Sequence, residues 1–296
     1  MKKMKRIRCH LAAIVFLLPM VHSYGQVQYT AEKFVDMAKI APKIATLDKR
    51  FFESDVKRVI ITEFFGEFVV SQSTEPSAFE KNHSDWYTVR KSEVEIGSDF
   101  YETVVNQVYY EFVKLLTECG YEVVHKDTLI ENPDYIAVGL KEVKTGRQYS
   151  GGIAKESTSA QVIKRSASGM GMFSESLNVP QVGKINQILP KIAYDNKADA
   201  AIMVKFRIGM QSSGKPSLDY FNTYANTNIV ISGSGKNTYY FFKKTYGSFN
   251  SANQLTNDAP VFSGGQVDIE AYNNSMMDMV KGMMQAFQYQ FKNMKK

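Results

Sequence analysis

Residues 58–125 constrain the fold most, because they place a long amphipathic helix between two segments with strand composition. The helix candidate reads SDFYETVVNQVYYEFVKLLTECG, and its apolar residues recur every three or four positions. They are Phe100, Val104, Val108, Phe112, Leu115 and Cys119. This spacing puts one apolar stripe on a single helix face. RVIITEFF before the helix and YEVV after it are rich in branched and aromatic residues, which favour strands. The stretch therefore predicts a strand–helix–strand unit.

The two ends of this helix carry capping signals. Asp99 is placed to accept from the free backbone N–H groups of the first turn, while Glu102 reaches back in a capping box. Gly120 supplies the stop. The first strand is joined to the helix by a long polar loop over 71–97 and by no glycine-rich turn. The usual phosphate site of a nucleotide-binding unit is therefore not predicted.

A secretory signal peptide is predicted over residues 1–25. Five basic residues lead into an apolar run over 11–21, and small residues follow it, with cleavage expected between Gly25 and Gln26. The alternative is a retained membrane anchor, but an apolar run of about eleven residues is too short to cross roughly 30 Å of hydrocarbon. Cys9 lies ahead of the run, so it is not the lipidated cysteine of a bacterial lipoprotein. We expect an exported protein, periplasmic or secreted, without stable membrane insertion.

The basic character of the chain belongs mostly to this leader. Of 36 basic and 30 acidic residues, five basic ones lie in the leader, which leaves 31 against 30. Near-zero net charge gives no general attraction to nucleic acid or to anionic lipid. Only Cys119 of the two cysteines lies beyond the leader, so no internal disulfide is predicted. Stability must come from a packed core, and we favour one domain over 26–296 rather than two small ones.

The remaining chain alternates between legible elements and irregular segments. The pattern predicts, in order, a Gly/Ser-rich, extended or hairpin-like excursion over 134–182, a helix over 185–193, a one-sided strand over 199–210, a hairpin of strands 228–232 and 238–246, and a helix over 268–294. The last helix is rich in methionine, which suits either an adaptable partner groove or a buried face, and its width favours the buried face. The fold class is α/β (α+β), a mixed sheet flanked by helices on both faces, with insertions at 71–97 and 134–182.

Three segments carry a resemblance to known families: RVIITEF, LLTECGYEVVHKDTL and NKADAAIMVKFRIG. With the order of elements over about 55–292, they resemble the fold shared by the curli secretion-channel lipoproteins, the lipoprotein activators of peptidoglycan synthases and the amino-terminal domain of TolB. The resemblance implies binding or assembly in the cell envelope and supplies no catalytic residues. The chain departs from the first two families in lacking the lipidated cysteine. Adjacent Lys164 and Arg165 put a charge on each strand face, so no pore is predicted.

No motif for catalysis, metal or cofactor binding is found. His83, His125 and Cys119 lack metal-ligand spacing, so no metal is predicted and no cofactor either. The sequence has no G-x-S-x-G elbow. An acid pair drawn from Glu63, Glu67, Asp195 and Asp199 can be imagined, but nothing in the sequence brings them together. We favour a non-enzymatic protein, and the alternative is a secreted hydrolase with an unrecognised active site.

Aromatic residues in and before the predicted hairpin are the candidate partner surface. The candidate residues are Tyr220, Tyr224, Tyr240, Tyr246 and, in the polar loop, Trp86. Exposed tyrosines suit an envelope protein or glycan, because rigid rings offer contact area at little entropic cost. The alternative, which we favour for the hairpin, is that helices cover both faces of the sheet and bury these rings. The ligand and the oligomeric state are not predicted.

Overall fold

The fold was analysed in a computed structural model. It describes residues 27–29, 37–47, 55–76, 90–93, 96–137, 146–150, 156–172, 188–212, 221–233, 245–251, 255–257, 262–263 and 266–294.

The described elements alternate between strands and helices along most of the chain. The strands are β1 (Val27–Tyr29), β2 (Ala45–Leu47), β3 (Arg58–Pro76), β4 (Arg90–Glu93), β5 (Glu122–Val124), β6 (Gly146–Ser150), β7 (Glu156–Ser166), β8 (Ala200–Ser212), β9 (Phe221–Gly233), β10 (Thr245–Ser251), β11 (Leu255–Asn257), β12 (Phe262–Ser263) and β13 (Gln266–Val267). The helices are α1 (Met37–Ile44), α2 (Ser98–Glu118), α3 (Lys126–Ile130), α4 (Pro133–Ala137), α5 (188–195) and α6 (Ile269–Met294).

β3 is the central strand of a mixed sheet. On one side it pairs in parallel with β8, from Val59 opposite Ala200 to Phe68 opposite Ile208. On its other side it pairs in parallel with β5 and then in antiparallel with β7, and β4 pairs with its far end. β9 runs antiparallel to β8, and both β10 and β11 pair with β9. The predicted mixed sheet is confirmed.

Helices lie on both faces of this sheet, as predicted. α2 connects β3 to β5 on one side of β3, whereas α5 leads into β8 on the other side. Crossover connections between parallel strands are right-handed, so two crossovers in opposite directions put their helices on opposite faces. The long C-terminal helix is α6. None of the described helices combines the length and the hydropathy that a bilayer span needs.

The apolar stripe of α2 is confirmed: Phe100 is half-buried and the other five residues are buried. The buried face is wider than the sequence predicted, because α2 packs against both the sheet and α6. The ring of Tyr109 lies 5.4 Å from that of Phe64 on β3, and Phe112 lies 6.1 Å from Phe287 on α6. The added buried residues of α2 are Tyr101, Val105, Tyr109 and Leu116. Met276 and Met283 of the methionine-rich helix α6 are buried in the same core.

The predicted capping box of α2 is wrong, while its glycine stop is confirmed. The N-cap is Gly97, and no side chain caps the helix. Asp99 already lies inside the first turn, and the Glu102 carboxylate accepts a hydrogen bond from the Ser168 hydroxyl instead. At the other end Gly120 has a φ of +88°, a left-handed conformation that glycine adopts without strain.

The insertions are more regular than the sequence indicated. Residues 71–76 continue β3 and residues 90–93 form β4, so the polar loop predicted over 71–97 is wrong at both of its ends. A strand made of polar residues shows no apolar alternation in its sequence, so its sequence cannot be distinguished from that of a loop. In the second insertion, β6 and β7 pair in antiparallel, which confirms the hairpin-like excursion.

The hairpin predicted near the C-terminus is described in part. β10 pairs in antiparallel with β9, as expected, and it spans residues 245–251, so it extends beyond the predicted end at residue 246. Its polar and glycine-containing sequence, TYGSFNS, gives a weak strand signal, and pairing with β9 overrides it. Residues 234–244 lie outside the described part.

Gly66 tests the packing at the centre of the sheet. A Cβ there would lie 2.6 Å from the ring of Phe206, which is itself buried. We expect Gly66→Ala to lower the free energy of unfolding by about 1–3 kcal/mol, measured by urea denaturation. Gly97→Ala is the matched control, because nothing lies within 4 Å of its added methyl group. Equal losses in the two variants would contradict the close packing.

Candidate functional site

A buried carboxylate surrounded by three cations is the most concentrated charged feature of the described residues. Glu67 lies on β3, opposite Lys164 of β7 and Arg207 of β8. Lys205 lies two residues before Arg207. Directly paired residues of neighbouring strands share a sheet face, and so do residues two apart in one strand. The sheet therefore brings four charged side chains together, hereafter the Glu67 cluster: Glu67, Lys164, Lys205 and Arg207.

The contacts within the Glu67 cluster divide between the two carboxylate oxygens. Lys205 Nζ lies 2.8 Å from Glu67 Oε1, and Lys164 Nζ lies 3.2 Å from the same oxygen. Arg207 Nη1 lies 3.9 Å from Oε2, beyond hydrogen-bond distance. The Lys205 ammonium group also lies 5.4 Å from the centre of the Phe65 ring, in a cation–π contact.

The Glu67 carboxylate is ionised at neutral pH. Burial alone would raise the pKa of Glu67, but the charges of Lys205, Lys164 and Arg207 outweigh burial and lower this pKa below its ordinary 4.5. For Lys164, burial lowers the pKa, and the attraction of Glu67 only partly opposes that effect. The carboxylate is thus held ionised by its neighbours.

The cluster reaches the surface on its cationic side. Glu67 is 1% exposed, whereas the side chains of Lys164, Lys205 and Arg207 are 15%, 37% and 28% exposed. A solute can therefore approach Lys205 and Arg207 but cannot reach Glu67 directly. Chemically, this arrangement can hold negative charge against two fixed cations.

A second buried acid lies next to the cluster. Glu63 is on the same face of β3, two residues before Phe65, and it is also buried. Beside it, the Tyr135 hydroxyl donates to the Thr62 carbonyl and accepts from the Gly171 N–H, both at 2.9 Å. Burial raises the pKa of Tyr135, and the charge of Glu63 adds to this effect.

The structure does not form the acid pair that was considered among Glu63, Glu67, Asp195 and Asp199. Asp199 accepts from the backbone N–H groups of Lys57 and Arg58, at 2.9 and 2.8 Å, and so fixes the start of β3 beside β8. Asp195 forms an ion pair with Lys191, which also contacts Asp134. Glu63 and Glu67 lie within the sheet.

The other reactive candidates also make structural contacts. His125 is the N-cap of α3, and its Nδ1 accepts from the Asp127 N–H at 3.4 Å. Cys119 is buried in the core. In the described ranges, no group of three or more His, Cys, Asp and Glu residues is arranged to hold a metal ion.

The aromatic surface remains a prediction. Tyr220, Tyr240 and Trp86 lie outside the described residues. Tyr224 lies in β9 and Tyr246 in β10, and the structure describes the backbone but not the side chain of each. The two strands are neighbours in the sheet.

The sequence contained a partial signal for the Glu67 cluster. The alternation of β8 turns Lys205 and Arg207 away from its apolar face, which agrees with the one-sided strand predicted over 199–210. The sequence pattern does not connect these cations with Glu67 or Lys164, because strand order and register join residues roughly 40 to 140 positions apart.

No protein-family model matches this chain, and no curated protein matches its sequence significantly.

Glu67→Gln tests the charge of the cluster. We expect it to lower the free energy of unfolding at pH 7 by about 3 kcal/mol, because it leaves buried cations without their counter-charge. The folded-state pKa of Glu67 is depressed, so its contribution to the free energy of unfolding is present above pH 4.5 and is lost as the pH falls through the folded pKa. The difference in unfolding free energy between wild type and Glu67→Gln should therefore become smaller in acid, as measured by urea denaturation at several pH values.

Glu122→Gln is the control for this experiment, because Glu122 is 67% exposed and pairs with Arg58 at 3.5 Å on the surface. Its loss should cost at most about 1 kcal/mol. If the loss of unfolding free energy in Glu67→Gln is independent of pH, Glu67 does not stabilise the fold through its charge.

Proposed function

We propose that the protein is an exported, non-enzymatic protein of the cell envelope that acts by binding or assembly. The leader over residues 1–25 supports export. The order of elements supports the envelope, since it resembles that of the three envelope families named above, whose members bind or assemble other components.

One observation carries the choice of binding over chemistry: the described candidates for a reactive group are engaged in building the fold. Asp199 accepts two backbone N–H groups, His125 caps α3, and Cys119 is buried in the core. A nucleophile or a general base needs an open face and a partner at hydrogen-bond distance. These three side chains use their polar or packing capacity within the protein.

We propose that the partner is an envelope protein or glycan and that it contacts the aromatic residues around β9 and β10. These are Tyr220, Tyr224, Tyr240 and Tyr246, together with Trp86. Tyrosine and tryptophan rings bury large areas at low conformational cost and retain a polar group for hydrogen bonding, which suits both kinds of partner. Tyr224 and Tyr246 belong to adjacent antiparallel strands, and the register places Tyr246 beside Ile231 and Ser232, roughly 25 Å along β9 from Tyr224. A partner that contacts both must therefore span that length of the sheet.

The test is capture of partners from envelope extracts with the tagged chain that begins at Gln26. We expect Tyr240→Ala combined with Tyr246→Ala to weaken capture at least about tenfold, the effect of losing one binding hot spot. Tyr110→Ala is the control, because Tyr110 is an exposed tyrosine on α2, outside β9 and β10. Recovery of no specific partner, or equal capture by both variants, would refute the proposal.

A further inference from the structure

We propose that the groove between α2 and α6 binds a small zwitterion with an apolar side chain, the chemistry of a free aliphatic amino acid. In this site Glu111 contacts the ligand's ammonium group, Lys281 contacts its carboxylate, and Leu115 and Met284 contact its side chain. All four residues line the groove. The lining residues belong to α2 and α6 and not to β9 or β10, so this proposal and the proposed aromatic surface can fail independently.

The groove forms where two parallel helices lie side by side. The ring of Phe100 stacks on that of Tyr272 at 6.4 Å near the start of both helices, and Phe112 lies 6.1 Å from Phe287 farther along. The two helices therefore run in the same direction. On each helix the lining residues follow the spacing i, i+3, i+4, i+7 of a single face. The groove is thus about two helical turns long, roughly 10 Å.

The two ends of the groove differ in their hydrogen bonding. At one end Gln288 Nε2 donates to Glu118 Oε2 at 3.0 Å and joins the two helices directly. Glu111 and Lys281 lie seven residues earlier on α2 and α6, so parallel helices place both at the other end. Among the described residues, neither Glu111 nor Lys281 has a hydrogen-bond or ion-pair partner. This end therefore presents a free acceptor and a free donor from opposite helices.

The charges of the groove favour a ligand that is neutral overall. Glu111 and Glu118 balance Lys114 and Lys281, so a net anion or a net cation meets repulsion as well as attraction. A zwitterion gains at both of its ends, because its ammonium group pairs with a carboxylate and its carboxylate pairs with an ammonium group.

The apolar residues and the volume of the groove limit the size of the ligand. Leu115 is buried and Met284 is half-buried, and together they offer apolar surface between the charged residues. A methionine side chain adapts to the shape of what it contacts. The groove measures about 240 Å³, below the roughly 300 to 1,000 Å³ of pockets that hold drug-sized ligands. A single amino acid matches this size better than a larger molecule.

The experiment is titration of the chain that begins at Gln26 with L-leucine at constant ionic strength, followed by NMR of isotope-labelled methionine methyl groups. The Met284 signal, assigned by its loss in Met284→Leu, reports on the groove. The signal of Met170, which is buried and does not line the groove, is the internal control. We expect the Met284 signal to shift saturably, with a Kd of about 1 mM or tighter, while the Met170 signal stays in place.

Variants of the groove test its two charged contacts. Glu111→Gln and Lys281→Gln should each weaken leucine binding about fivefold, the effect of losing one solvent-exposed ion pair. Glu270→Gln and Lys292→Gln are the matched controls, because they remove exposed charges of α6 that do not line the groove. These controls should leave Kd within about twofold of wild type.

Two analogues of leucine assign each contact to one end of the ligand. Isocaproate lacks the ammonium group and isoamylamine lacks the carboxylate, so both should bind more weakly than leucine. Glu111→Gln should weaken isoamylamine further and leave isocaproate unaffected, whereas Lys281→Gln should do the reverse. Glycine, which lacks the apolar side chain, should bind at least about tenfold more weakly than leucine.

Three results would overturn the proposal: no saturable shift of the Met284 signal, an equal shift of the Met170 signal, or equal Kd values for Glu111→Gln and Glu270→Gln. Binding of isocaproate as tight as that of leucine would also overturn it, because the ammonium group would then have no role. Tyr240→Ala and Tyr246→Ala should leave these titrations unchanged.

Discussion

The described fold depends on the burial of β3 on both of its faces. Residues 59–70 are buried without exception. α2 packs against the face that carries Phe64 and Phe68, and β7 and β8 pair with the two edges of the strand. Two backbone N–H groups at the start of the strand donate to Asp199, which fixes β3 beside β8. Gly66 then allows the ring of Phe206 to lie against the strand. A strand so enclosed can carry a charge only when other charges accompany it.

Glu67 is where this condition is met. Lysines from the strands on both sides of β3 neutralise the carboxylate, so the sheet itself sets the position of each cation. The ion pairs that make burial of Glu67 tolerable therefore depend on the register of β7, β3 and β8.

Local sequence patterns predicted the elements well, whereas contacts between distant elements were beyond them. The stripe of α2, the glycine that ends it and the one-sided alternation of β8 follow from periodicity and glycine chemistry, and all three were correct. The polar continuation of β3 past Val70 and the weak β10 sequence become strands only through pairing, which a local pattern does not contain. The Glu67 cluster likewise required the register of three strands. The capping box failed because the helix begins at Ser98, so that Asp99 lies inside its first turn.

The most direct test of the Glu67 cluster is a double-mutant cycle that combines Glu67→Gln with Lys164→Met, read as free energies of unfolding at pH 7. If the two charges stabilise each other within the sheet, the double variant should lose less than the sum of the single losses, with a coupling energy of about 1–3 kcal/mol. Strictly additive losses would contradict the cluster.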